Sequence, residues 1–159
     1  MANPLQARLS AAKMISTPNI EQVKSLIKKE KQEKVKPVII RAQNDDFNRK
    51  ILECGHFDIL LGIESGKKQR SLRQIDSGFN HVLAKIASKN KVSLGIDMEE
   101  LRSLPKEEKA RRIERIIQNI ILCRKSKVKI KLLNIRDEKD AFAFLSSLGA
   151  SSQQAKEAF

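Results

Sequence analysis

Short apolar runs alternate with amphipathic segments along this chain, and that alternation restricts the fold more than any other feature. Residues 12–16, 38–41, 57–61, 92–97 and 128–134 read as strands, the first of them weakly. Between them lie segments with helical spacing. Thr17 and Pro18 read as an N-cap and first-turn proline for a helix to about Lys34, with Ile20, Val23, Leu26 and Ile27 inward. Pro37 ends that helix. Asn44 or Asp45 caps a second helix carrying Phe47, Ile51 and Cys54 on one face, and Gly55 stops it. A third helix runs from about Gly78 to Lys89, with Phe79, Val82, Leu83 and Ile86 as its apolar stripe. Pro105, Glu107 and Glu108 open a long fourth helix whose stripe is Ile113, Ile116, Ile117, Ile120 and Ile121. A helix at 140–148 stops at Gly149, and Ser151 caps a last one.

Strands alternating with helices predict a parallel sheet wrapped by helices, either an open doubly wound sheet or a barrel. With about five strands in 159 residues, an eight-stranded barrel of roughly 250 residues does not fit. The expectation is a single α/β domain over residues 1–159, an open or incomplete barrel.

The formal net charge is +13, and it is concentrated in blocks. Residues 1–36 carry +5, 67–91 carry +6 and 111–131 carry +7, while 37–66 and 92–110 each carry −2 and 132–159 carry −1. Folding can gather blocks into one patch, so a polyanionic partner is the first expectation. Residues 67–91 hold seven cations and one acid, Asp76. Lys67, Lys68, Arg70 and Arg73 precede the third helix, on which His81, Lys85 and Lys89 recur every four residues. Loop cations beside a helix N-terminus can hold phosphate, and the plain alternative is a solvated face. For His81 the plain alternative is a first-turn hydrogen bond with Asp76 or Ser77. Arg111, Arg112, Arg115, Arg124, Lys125 and Lys127 form another block, read as a solvated outer helix face.

The absence of Trp and Tyr argues against single-strand recognition by base stacking and for the phosphates and shape of folded RNA. No metal-ligand, nucleotide-loop or nucleophile-elbow spacing is found. Asp58, Asp76 and Asp97 fall near strand ends or in loops and read as caps. Cys54 and Cys123 lack pairing spacing and read as reduced core thiols of a cytoplasmic chain. The N-terminus lacks a signal-peptide core, and no apolar run is long enough to cross a membrane.

Three stretches carry a family resemblance: NDDFNRKILECGHFDILL at 44–61, RSLRQIDSGFNHVLAKIASKNKVSLGID at 70–97 and IERIIQNIILCRKSKVKI at 113–130. The second is the most specific, with its Ser-Gly-x-Asn-His-Val-Leu-x-Lys run and Lys-Asn-Lys-Val turn. On them the chain resembles the ribonuclease P protein component 3 family, the archaeal and eukaryotic 30-kilodalton subunit. The resemblance implies a TIM-barrel-like fold related to a phosphoesterase superfamily but without its metal cluster, here lacking the first strands. It implies a non-catalytic, RNA-binding subunit of an endoribonuclease holoenzyme that removes 5′ leaders from precursor tRNA. The partners implied are the ribonuclease P RNA, a small RRM-like subunit and other ribonuclease P proteins, with precursor tRNA indirectly and no membrane. The resemblance also implies that the protein itself binds no cofactor and that magnesium serves the RNA. Matching candidates for RNA or partner contact are Arg49, Lys50, Lys67, Lys68, Arg70, Arg73, His81, Lys85 and Lys89. The competing readings are a divergent barrel-type metal-dependent phosphoesterase, resting on Asp58 and Asp97, and a general basic ribonucleoprotein scaffold.

Overall fold

The computed structural model describes residues 12–66 and 76–159. Five strands form one sheet: β1 (Met14–Ile15), β2 (Ile39–Arg41), β3 (Ile59–Leu61), β4 (Ser93–Asp97) and β5 (Ile130–Leu133). All neighbours are parallel and the spatial order is the chain order. Right-handed crossovers that advance in one direction put every connection on the same side. Among the described residues the winding is therefore consistent with a barrel-like sheet, without the reversal that a doubly wound sheet needs.

Strand alternation divides the sheet residues between two faces. Ile40, Leu60, Leu94, Ile96, Ile130 and Leu132 join the large core beneath the helices. Ile39, Ile59, Leu61 and Leu133 form a small separate cluster on the other face, joined by Ala12. Each fully buried aliphatic side chain contributes about 1.5–3 kcal/mol. Along the outer edge of β5, the Leu132 N–H donates to the Ala158 carbonyl at 2.8 Å.

The helices are α1 (Ile20–Gln32), α2 (Asp45–Cys54), α3 (His81–Lys89), α4 (Met98–Ser103), α5 (Lys106–Ser126), α6 (Glu138–Ser147) and α7 (Ser152–Lys156). A 3-10 turn, Ile63–Ser65, follows β3. Asn44 caps α2, and Ser151 caps α7 in a capping box with Gln154. No helix among the described residues is long and apolar enough to cross a membrane.

Four expectations need correction. The cap of α1 is Asn19, a stronger capping residue than threonine, and Thr17 instead donates its hydroxyl to Gln22. α3 begins at His81, because Asn80 accepts from the Val82 and Leu83 N–H groups at 3.0 Å and ends the preceding turn. Phe79 is buried but lies before the helix, so it does not set the helical phase. The inward face of α3 is Leu83, Ala84 and Ala87, and Val82 is exposed. On α5 the buried strip is Ile116, Asn119, Ile120 and Cys123, while Ile117 and Ile121 lie outside it. Those two sit about 100° around the helix from Ile116 and Ile120, beyond the band the helix presses onto its neighbours. Finally, α4 was not anticipated. Its six residues are too short for periodicity to register, yet Asp97 caps it and Met98 and Leu101 are buried.

Candidate nucleic-acid interface

His81, Lys85 and Lys89 form an exposed row along α3, on the side away from Leu83, Ala84 and Ala87. Arg49 and Lys50 are exposed on the neighbouring α2. Each is paired within its own helix, Arg49 to Glu53 at 3.0 Å and Lys50 to Asp46 at 2.7 Å. Such exposed pairs contribute little to stability and yield readily to a stronger anion. Lys67, Lys68, Arg70 and Arg73 lie outside the described residues.

The segments on either side of residues 67–75 are described, and they are held together. Gly78 adopts φ +75°, and a Cβ there would lie 2.7 Å from the Ile63 carbonyl oxygen. Glycine alone permits this approach. Asp76 accepts from the Gly78 N–H at 3.0 Å, and Ser77 donates to the Phe79 carbonyl at 3.1 Å. On the other stem, Arg115 donates to the carbonyls of Glu64 at 2.9 Å and Gly66 at 2.7 Å. Residues 63–66 and 76–79, on either side of residues 67–75, are therefore held together just before the N-terminus of α3.

At the C-terminal ends of the strands lies an ionic cluster. Arg41, the last residue of β2, makes a two-pronged contact with Glu100 of α4, at 2.7 and 2.9 Å. Arg112 of α5 donates to the same carboxylate at 2.6 Å. Arg41 also reaches Ser65 at 3.3 Å. Gly62 lets the Arg41 guanidinium pass, since a Cβ there would stand 2.9 Å from its central carbon. The hydrogen bonds from Arg41 and Arg112 outweigh partial burial and hold the Glu100 carboxyl down at about 2. Glu64 is buried, and desolvation raises its carboxyl to about 6 despite the nearby Arg112 and Arg41.

Chemically, this cluster fastens rather than reacts. A carboxylate held by two guanidinium groups is too weak a base for proton abstraction near neutral pH. Asp58 and Asp97 do not converge on it as a pair. Asp58, just before β3, accepts from the Val38 N–H at 2.7 Å, and Asp97, at the far end of β4, caps α4 and accepts from Asn134. Among the described residues, no group of three or more His, Cys, Asp or Glu is placed to hold a metal ion. Burial pushes the Cys123 thiol up to about 12, which makes it unreactive.

The reading of Arg112 and Arg115 as solvated is overturned: both turn inward, onto Glu100 and onto the loop stem. Arg41, Glu64 and Glu100 were missed. For two of them a signal was available: Arg41 is a lone cation ending an apolar strand, and Glu64 is a lone acid ending the apolar run 59–63.

No family model matches the chain. Curated relatives do. Ribonuclease P protein component 3 of Methanococcus vannielii is 28% identical over 116 residues, covering 73% of this chain and 46% of the relative. That of Methanocaldococcus jannaschii is 26% identical over 155 residues, covering 93% of this chain and 63% of the relative. A chain in a cryo-EM structure of archaeal ribonuclease P with mature tRNA matches with a TM-score of 0.76 at 28% identity, covering 91% of this chain and 62% of that one. This chain thus spans between about half and just under two thirds of the length of these relatives. In sequence this chain resembles ribonuclease P protein component 3, and in fold it resembles a chain of archaeal ribonuclease P.

Proposed function

We propose that this chain is a non-catalytic, RNA-binding protein subunit of ribonuclease P that supports the catalytic RNA in removing 5′ leaders from precursor tRNA. The observation that carries this reading is the match, along 91% of the chain, to a component of an archaeal ribonuclease P structure containing tRNA. The exposed row on α3, together with the four cations among residues 67–73, supports RNA as the partner. Lys67, Lys68, Arg70, Arg73, His81, Lys85 and Lys89 contact RNA phosphates, and Arg49 and Lys50 serve RNA or a protein partner. The other partners are a small RRM-like subunit and further ribonuclease P proteins, with precursor tRNA reached indirectly. Magnesium serves the RNA. The sheet is part of a TIM-barrel-like fold, and its second face, with Ile39, Ile59, Leu61 and Leu133, is the interior of that barrel.

Reconstitution with the ribonuclease P RNA and protein subunits of the same organism tests this. Adding the chain lowers the magnesium needed for precursor-tRNA cleavage, and replacing Lys67, Lys68, Arg70 and Arg73 with Ala removes that effect. Cleavage by the chain alone, free of RNA, would sink the proposal.

A further inference from the structure

A second cationic site lies at the opposite end of the sheet from the ionic cluster and the N-terminus of α3. The parallel register aligns Ile39, Ile59 and Ser93, so the residues three positions earlier, Lys36, His56 and Asn90, come side by side. With Lys31, Lys34 and Lys91 they line a cleft of about 510 Å³, within the roughly 300–1,000 Å³ of small-ligand clefts. Lys31, Lys34, Lys36, His56 and Lys91 are all exposed. The one acid lining the cleft is Asp58, and its carboxylate already accepts from the Val38 N–H at 2.7 Å. Lys31 Nζ stands 3.1 Å from His56 Nδ1. An ammonium has only protons to give, so that ring nitrogen accepts.

The backbone gives a second, independent observation. α1, α2 and α3 end at Gln32, Cys54 and Lys89, and two residues beyond each end the chain turns left-handed: Lys34 at φ +54°, His56 at +67° and Lys91 at +56°. This helix-exit position is where glycine is the usual residue. At α1 and α3 lysine stands there, and at α2 His56 follows the positive-φ cap Gly55; all three side chains line one cleft. Cations near helix C-termini are favoured by the dipole, but that account asks only for charge in the last turn. It does not require Lys36, His56 and Lys91, which lie beyond the helices.

We propose that this cleft binds phosphate, either in an RNA backbone or as a free phosphate group, and that it is separate from the basic loop. The inference adds to the subunit reading and does not depend on it. Up to five cation-capable groups from three chain segments can surround one or two phosphates, and Lys31 and His56 can both turn to a shared oxygen.

The left-handed positions supply a test that spares the fold. In the double variant Lys34→Gly, Lys91→Gly two charges go, and glycine takes the same backbone without strain, so the melting temperature does not fall. A hairpin RNA of generic sequence is titrated at several salt concentrations into the full chain, this variant, and the variant with Lys67, Lys68, Arg70 and Arg73 changed to Ala. Inorganic phosphate is titrated separately, following the His56 ring by NMR. Affinity for the hairpin is expected to fall about tenfold in the double variant, with a salt slope shallower by about two. That result without a His56 response to inorganic phosphate assigns the cleft to an RNA backbone. A saturable His56 response lost in the double variant, with hairpin binding unchanged, assigns it to a free phosphate group. Unchanged hairpin affinity and slope with no His56 response overturns the proposal. Loss of binding in the loop variant alone leaves the subunit reading standing and removes only the cleft.

Discussion

Glu64 and Glu100 sit in one cluster and push stability in opposite directions with pH. Glu64 has its carboxyl raised from 4.5 to about 6 by burial, so the folded state holds its proton more tightly than the unfolded one. Its ionisation destabilises the fold above about pH 6, and that penalty disappears as pH falls towards 4.5. Glu100 is lowered from 4.5 to about 2, so its contribution is present above 4.5 and is lost as pH falls through about 2. Together they predict a stability maximum near pH 4.5–5. Glu64→Gln should gain about 2 kcal/mol at pH 7, a gain that vanishes below pH 4.5. Urea unfolding across pH measures both. Glu100→Gln leaves Arg41 and Arg112 without their anion and should cost about 1–3 kcal/mol at pH 7 in the same assay. Gly78→Ala forces a Cβ to within 2.7 Å of the Ile63 carbonyl, so it should destabilise the fold and weaken RNA binding by shifting the loop stem. A variant with wild-type melting and wild-type RNA affinity would contradict that role for Gly78.

At the scale of elements, what could be read from the sequence depended on length and context. The long alternation of strands and helices identified all five strands, because buried strands and capped helices differ in local pattern. α4 stayed hidden because six residues give no period, and its identity depends on Asp97 and on burial of Met98 and Leu101. Stripe widths were overestimated on α3 and α5 because local spacing does not say how wide a face a neighbouring element covers. That difference is measurable. Ile120→Ala on α5 should cost about 2–5 kcal/mol, and Ile121→Ala about 0.5 kcal/mol or less. Equal costs for the two in chemical denaturation would mean the helix is rotated from the phase described.

Over the whole molecule, the charge blocks marked the basic loop and α3 as candidates, and His81, Lys85 and Lys89 do share an exposed face. Arg41 and Glu64 stood out singly in the sequence, but their meeting with Glu100 and Arg112 was not legible, since it depends on β2, β3 and β4 running parallel in register and on the helices that follow β4. The same geometry puts the ionic cluster at one end of the sheet and the Lys34–His56–Lys91 cleft at the other. The most direct test of the subunit reading is to tag the chain in its native host, purify it at moderate salt, and sequence the RNA that accompanies it. One dominant, large, folded RNA arriving with activity on precursor tRNA is the predicted result; mixed ribosomal RNA, or no RNA at all, would contradict it.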